Sequence, residues 1–194
     1  MRINWLAVTS ATIILAAPCA HAQDSAPSPD GRDTVAIVSV GKGDDNGSGA
    51  QALVLRSRDH GERRLLLSRW NADYGRNLAN LSHPLFSPDG GAIYFSSADA
   101  SPSSAYVHRF DLKTDAVTPV GPGSVLRVMR TGPYKGDLLV QTHRYRYRPE
   151  GGSYNPVFLT RPSGRRVAMI PGSDRDDGEI AVDPWLLQKK WRAW

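Results

Sequence analysis

Between His83 and Val120 the chain alternates short apolar runs with turn residues, a spacing that leaves room for little but short antiparallel strands. Pro88-Asp89-Gly90 is a turn, with proline presetting φ and glycine supplying a positive φ. An apolar strand over Ile93–Ser96 follows, then a second through Tyr106–Leu112. Lys113-Thr114-Asp115 turns the chain again, into a third strand over Val117–Val120. Hairpins of this size cannot bury their own apolar face, so each such unit has to stack on another.

The rest of the chain has the same texture. Strands are expected over 34–40, 51–56, 63–68, 125–130, 137–145, 157–160, 167–170 and 179–182, about eleven in all with the three above. The segment 70–81 reads as polar and irregular with one helical turn, and 185–194 as a short helix or a tail. No segment carries a long 3.6-residue period, so the expectation is all-β. A weak internal repeat is visible: Ser28-Pro29-Asp30-Gly31, Ser87-Pro88-Asp89-Gly90 and Pro162-Ser163-Gly164 each lead straight into an apolar strand.

Phe86-Ser87-Pro88-Asp89-Gly90, the strand Ile93–Ser96 and the strand end Phe110-Asp111-Leu112 stand in one order and spacing. This stretch, about a fifth of the chain, resembles one WD40-like repeat of the TolB-type β-propellers and of the propellers of prolyl oligopeptidase relatives. An ordinary meander shares the Pro-Asp-Gly turn but not the whole pattern. The resemblance implies an antiparallel all-β fold, either a partial β-propeller of about three blades or a related meander. Blades have four strands, and closed rings need at least about four blades. Eleven strands leave three outcomes: an open arc capped by its own C-terminus, an arc paired with a second copy as a homodimer, or a barrel or sandwich. The expected domain scheme is a flexible lead-in or irregular first turn over 23–33, the propeller-like domain over 34–183 and the tail over 184–194.

The N-terminus reads as a signal peptide over 1–22. Arg2 supplies the positive start, Trp5–Ala17 the apolar region, and Ala20-His21-Ala22 the small residues before a cut after Ala22. The apolar run is too short for a membrane span. The expectation is therefore a periplasmic or secreted protein with no transmembrane segment in the mature chain. Cys19 poses a lipoprotein alternative, against which Pro18 stands. It is the only cysteine, so a chain cut after Ala22 has no disulfide, thiolate site or cysteine nucleophile. The formal net charge of +5 favours anionic surfaces. Export argues against nucleic acid as a partner.

Chemistry is harder to find. There is no Gly-x-Ser-x-Gly elbow and no His-Glu-x-x-His helix. His60, His83, His108 and His143 lie far apart without ligand spacing, and each is expected at the surface or half-buried in a strand. The acidic loops 44–47 and 174–179 read as solvated turns rather than calcium sites, since neither has EF-hand spacing. Gly41-Lys42-Gly43 lacks the rest of a phosphate loop. The expectations are no catalytic residue, no metal, no cofactor and no enzymatic activity.

The most unusual composition lies between Tyr134 and Tyr154. On a strand, His143, Tyr145 and Tyr147 share one face and Arg144, Arg146 and Arg148 the other. Such rows suit sugar stacking or Arg forks on an acidic protein surface. They equally suit tyrosines packed inward beside arginines that protect a sheet edge. Candidate binding residues are His143, Arg144, Tyr145, Arg146, Tyr147, Arg148 and Tyr154, with Trp191 and Trp194 of the tail, whose indoles are expected on an open β edge. The expected function is an exported binding module contacting a protein in the envelope. Alternatives are a carbohydrate or cell-wall binder, a small periplasmic inhibitor, or a hydrolase with a dispersed site.

Overall fold

In a computed structural model, residues 25–41, 49–98, 104–147 and 151–194 are described. The signal-peptide reading, Cys19 and the acidic loop 44–47 lie outside them.

Three four-stranded antiparallel sheets follow one another along the chain, each a simple meander. The first holds β1 (Ser25–Pro27), β2 (Asp33–Ser39), β3 (Gln51–Ser57) and β4 (Gly61–Leu67). The second holds β5 (Ser82–Phe86), β6 (Ala92–Ala98), β7 (Ala105–Asp111) and β8 (Val117–Pro122). The third holds β9 (Ser124–Val128), β10 (Leu138–Gln141), β13 (Val157–Thr160) and β14 (Arg166–Met169), and β11 (Arg144–Tyr145) and β12 (Ser153–Tyr154) form a separate hairpin inserted between β10 and β13. A meander of four strands stacked face to face on the next is the blade of a β-propeller. The chain is a three-blade arc. Part of the expected lead-in is strand β1, paired with β2 through Ser25–Ala36 and Pro27–Thr34.

The first two blades are built on one turn, repeated bond for bond. In the first, the Ser28 hydroxyl donates to Asp30 and accepts from the Asp33 amide at 2.9 Å, and the Arg32 amide donates to Asp30. In the second, the Ser87 hydroxyl donates to Asp89 and accepts from the Ala92 amide at 2.9 Å, and the Gly91 amide donates to Asp89. Gly31 and Gly90 both sit at φ 72°, which glycine alone adopts without cost. The hydroxyl bonds hold both carboxyls below the ordinary carboxylate range, Asp30 through Ser28 and Asp89 through Ser87. The third turn of the sequence repeat is out of phase: Pro162-Ser163-Gly164 joins the last two strands of its blade rather than the first two.

Apolar residues alternate inward on the strands and meet between blades. Val35, Ile37 and Leu53 of the first sheet pack with Phe86, Ile93, Phe95 and Phe110 of the second. Tyr94 and Val107 of the second pack with Val125, Val128, Leu138 and Val140 of the third. Arg63 of β4 also pairs with Asp115 in the turn before β8.

Among the described residues no fourth blade lies on the far face of the third. There the chain supplies a helix, α1 (Val182–Lys189), entered through a 3-10 turn at Glu179–Ala181. The strand expected over 179–182 is therefore corrected. Val182, Trp185 and Leu186 recur at helical spacing and bury against Met129, Leu139, Val157, Leu159 and Ile170. Lys190 at φ 56° ends the helix, its amide donating to the Leu186 and Leu187 carbonyls. The tail then returns to the start of the blade, where Ala193 bridges Met129 and the Trp194 amide donates to Val128 at 3.0 Å. At the third blade the C-terminus thus covers the open face, as the capped-arc outcome expects.

Candidate functional site

The aromatic and basic residues of the 134–154 stretch gather on the inserted hairpin. Arg144 pairs with Tyr154 and Tyr145 with Ser153 across it. Here the strand is only two residues long, so the expected alternating rows form only in part. His143 and Tyr145 do share a face, their rings edge to face at 5.0 Å. On the other face the Arg146 guanidinium lies 5.2 Å from the Tyr154 ring centroid and pairs with Asp176 at 3.0 Å. Tyr145 is 68% exposed and Tyr147 92%, so neither packs inward. With Arg144, Arg146, Tyr154 and Asp174 they line an open groove of about 660 Å³. Arg148 lies outside the described residues.

The hairpin is held from below by Asn155. Its side-chain NH₂ donates to the Asp176 carbonyl at 2.7 Å, which turns its oxygen toward His143 Nδ1, 2.8 Å away. An oxygen there can only accept, so Nδ1 carries the proton in the neutral ring. Asp176 therefore fixes both Arg146 and, through Asn155, His143. The loop 174–179 thus braces the hairpin. Among the described residues no three His, Cys, Asp or Glu side chains are grouped closely enough to hold a metal ion.

The tail tryptophans lie elsewhere. Trp191 packs edge to face with Trp185 at 5.3 Å and Tyr134 at 5.5 Å, and Trp194 lies under the Arg130 guanidinium at 3.1 Å. Gly132 is required below Trp191, since a Cβ there would come within 2.7 Å of the indole. The tail indoles pack on the third blade, apart from the hairpin groove.

One pair escaped the sequence reading. His108, expected at the surface or half-buried, is fully buried in the second blade, stacked on Phe95 at 5.4 Å. Its Nε2 lies 2.8 Å from the Ser97 hydroxyl, which donates to the Asn77 carbonyl at 2.7 Å. The hydroxyl proton is thus spent, and Nε2–H donates to Ser97 Oγ. Burial holds the imidazole neutral, lowering its pKa to about 4. Nδ1 has no partner to orient it, and the pair lies inside the sheet stack. The geometry is that of a buried strut between β6, β7 and the 69–81 connection. Alternation carried a signal, since His108 is two residues from the buried Phe110 and shares its face.

No protein-family model matches the chain, and no curated protein sequence matches it. Solved structures do. The propeller domain of the Trilobed protease from Pyrococcus furiosus, described as an open velcro topology, is 16% identical over 72% of this chain and 39% of that one, TM-score 0.45. The acylaminoacyl peptidase of Pyrococcus horikoshii is 15% identical over 71% of this chain and 23% of that one, TM-score 0.49. TolB from Acinetobacter baumannii is 14% identical over 75% of this chain and 42% of that one, TM-score 0.37. The chain spans between about a quarter and two-fifths of these structures. At these identities the likeness is one of fold alone. It also corrects one expectation. The matched structures include the propeller domain of a protease and an acylaminoacyl peptidase, so missing hydrolase signatures do not make the chain a non-enzyme.

Proposed function

We propose that the chain is an exported β-propeller-type binding module that holds a protein of the cell envelope on the β11–β12 hairpin of its third blade. The observation that carries this is the pair Tyr145 and Tyr147, exposed beside Arg144 and Arg146 on a hairpin that no blade needs for its own closure. Exposed tyrosine and arginine are the residues that dominate binding energy at protein interfaces. Among the described residues no helix is long and apolar enough to cross a membrane.

Affinity capture from envelope extract with the wild-type chain and with Tyr145→Ala/Tyr147→Ala checks the reading. A species retained by the wild type and by the blade-one control Arg64→Gln, but lost with the double variant, is the expected result. Equal retention by all three chains contradicts it. A second reading, a glycan-binding groove, is favoured by the polar lining of exposed rings with Asp174. Binding of purified cell-wall polymer that depends on the same tyrosines would support that reading instead.

A further inference from the structure

Beside the tyrosine groove, where the second blade meets the third, is a smaller cavity of about 220 Å³ lined in part by Ala105, Gly123, Thr142, Arg144 and Arg166. Arg144 comes from the inserted hairpin and Arg166 from β14, and both guanidiniums lie over the ring of Phe158, at 5.4 and 4.5 Å from its centroid. Neither has a carboxylate within ion-pair distance among the described residues, whereas all eight ion pairs found there are made by arginines. Thr142 is 6% exposed, and its hydroxyl has no hydrogen-bond partner among the described residues. A buried hydroxyl left unpaired is costly, and two guanidiniums gathered without a counter-charge repel each other. Burial and the nearby Arg144 charge both hold Arg166 below the ordinary arginine range. A compact anion that accepts from both guanidiniums relieves the arginines, and it relieves the hydroxyl too once rotation about χ1 of Thr142 turns that group to the cavity wall.

We propose that this cavity is a phosphoryl-binding site, with Arg144 and Arg166 neutralising the group and Thr142 donating to one of its oxygens. A phosphoryl group carries up to about two negative charges and three strong acceptor oxygens, which matches two guanidiniums and a hydroxyl better than one carboxylate does. The volume has room for the group and for part of what carries it, and the neighbouring groove shares Arg144. The source is a phosphate ester or a phospholipid head group. The site goes beyond the protein contact proposed for the tyrosines, and its test needs no partner, so the two can fail separately.

Titration calorimetry of the full chain with inorganic phosphate, at constant ionic strength, tests it. Saturable binding at one site is expected, weakened about tenfold or more in Arg166→Gln and in Thr142→Val and unchanged in Arg64→Gln on the first blade. Thr142→Val keeps the side-chain shape and removes the orphan hydroxyl. It should raise the melting temperature in phosphate-free buffer, so its lost binding cannot be lost folding. Competition by a soluble phosphate monoester, or by vesicles with phosphatidic acid over neutral vesicles, supports the site and tells the two sources apart. No saturable phosphate binding by the wild type overturns it. So does equal affinity in Arg166→Gln, an equal loss in Arg64→Gln, or acetate binding as tightly as phosphate.

Discussion

The second and third blades are the same four-stranded meander, and they differ in almost everything laid on top of it. The second is made of standard parts. Its Ser87–Asp89 turn copies the Ser28–Asp30 turn of the first, and both its faces are covered by neighbouring blades. The third has no such turn, carries an inserted hairpin between its middle strands, and has one face covered by a helix and a tail. Where the chain repeats itself, the residues serve closure and packing. Where it departs from the repeat, it gathers exposed tyrosines and unpaired arginines. The difference separates the scaffold from the candidate site.

The strongest way to break this contrast is to remove what replaces the missing neighbour. Trp185→Ala takes a large side chain, 8% exposed, from between α1 and the third sheet. It should cost about 3–5 kcal/mol in chemical denaturation. A loss under about 1 kcal/mol would mean that the helix merely rests on the blade.

Acid probes the second blade next. His108 is neutral in the fold, with its pKa lowered from 6.5 to about 4. Between those values the unfolded chain binds a proton that the folded chain does not, so stability is full above the upper value and falls with pH through the window. The loss should approach about 3 kcal/mol, and it should flatten in His108→Gln. An unchanged slope in that variant would assign the acid sensitivity to other groups.

Smaller effects sharpen the contrast. Asp89→Ala removes the acceptor for Ser87 and Gly91 and should cost about 1 kcal/mol. Tyr147→Ala, at 92% exposure, should shift stability by less than about 0.5 kcal/mol while changing partner capture. A large stability loss there would make the hairpin part of the scaffold.

Much of the scaffold was legible because its signals are local. Pro88-Asp89-Gly90 forms its turn from its own atoms, and the strands around it alternate as expected. Strand counting gave three blades without a ring, and Trp191 and Trp194 do pack on the blade they follow. What the sequence could not show depends on sheet order. Thr142, Arg144 and Arg166 line one cavity only because β13 sets β14 beside β10 and the hairpin follows β10. The pairing of Ser97 with His108 likewise needs β6 beside β7. The segment 179–182 looked like a strand because it is short and apolar, but Asp177 accepts the Glu179 amide at the start of a helical turn, and Val182 opens α1, which buries its apolar side on the third sheet.

Amide hydrogen exchange on the full-length chain tests most directly whether the third blade is finished by its own C-terminal segment. Leu139 and Leu159, on the strands beneath α1, should be protected as strongly as Phe95 and Val107 in the second blade, and Trp185→Ala should release the first pair and leave the second. Fast exchange at Leu139 and Leu159 in the unaltered chain, with Phe95 and Val107 protected, would contradict the account, because the helix and tail would then not be standing in for a fourth blade.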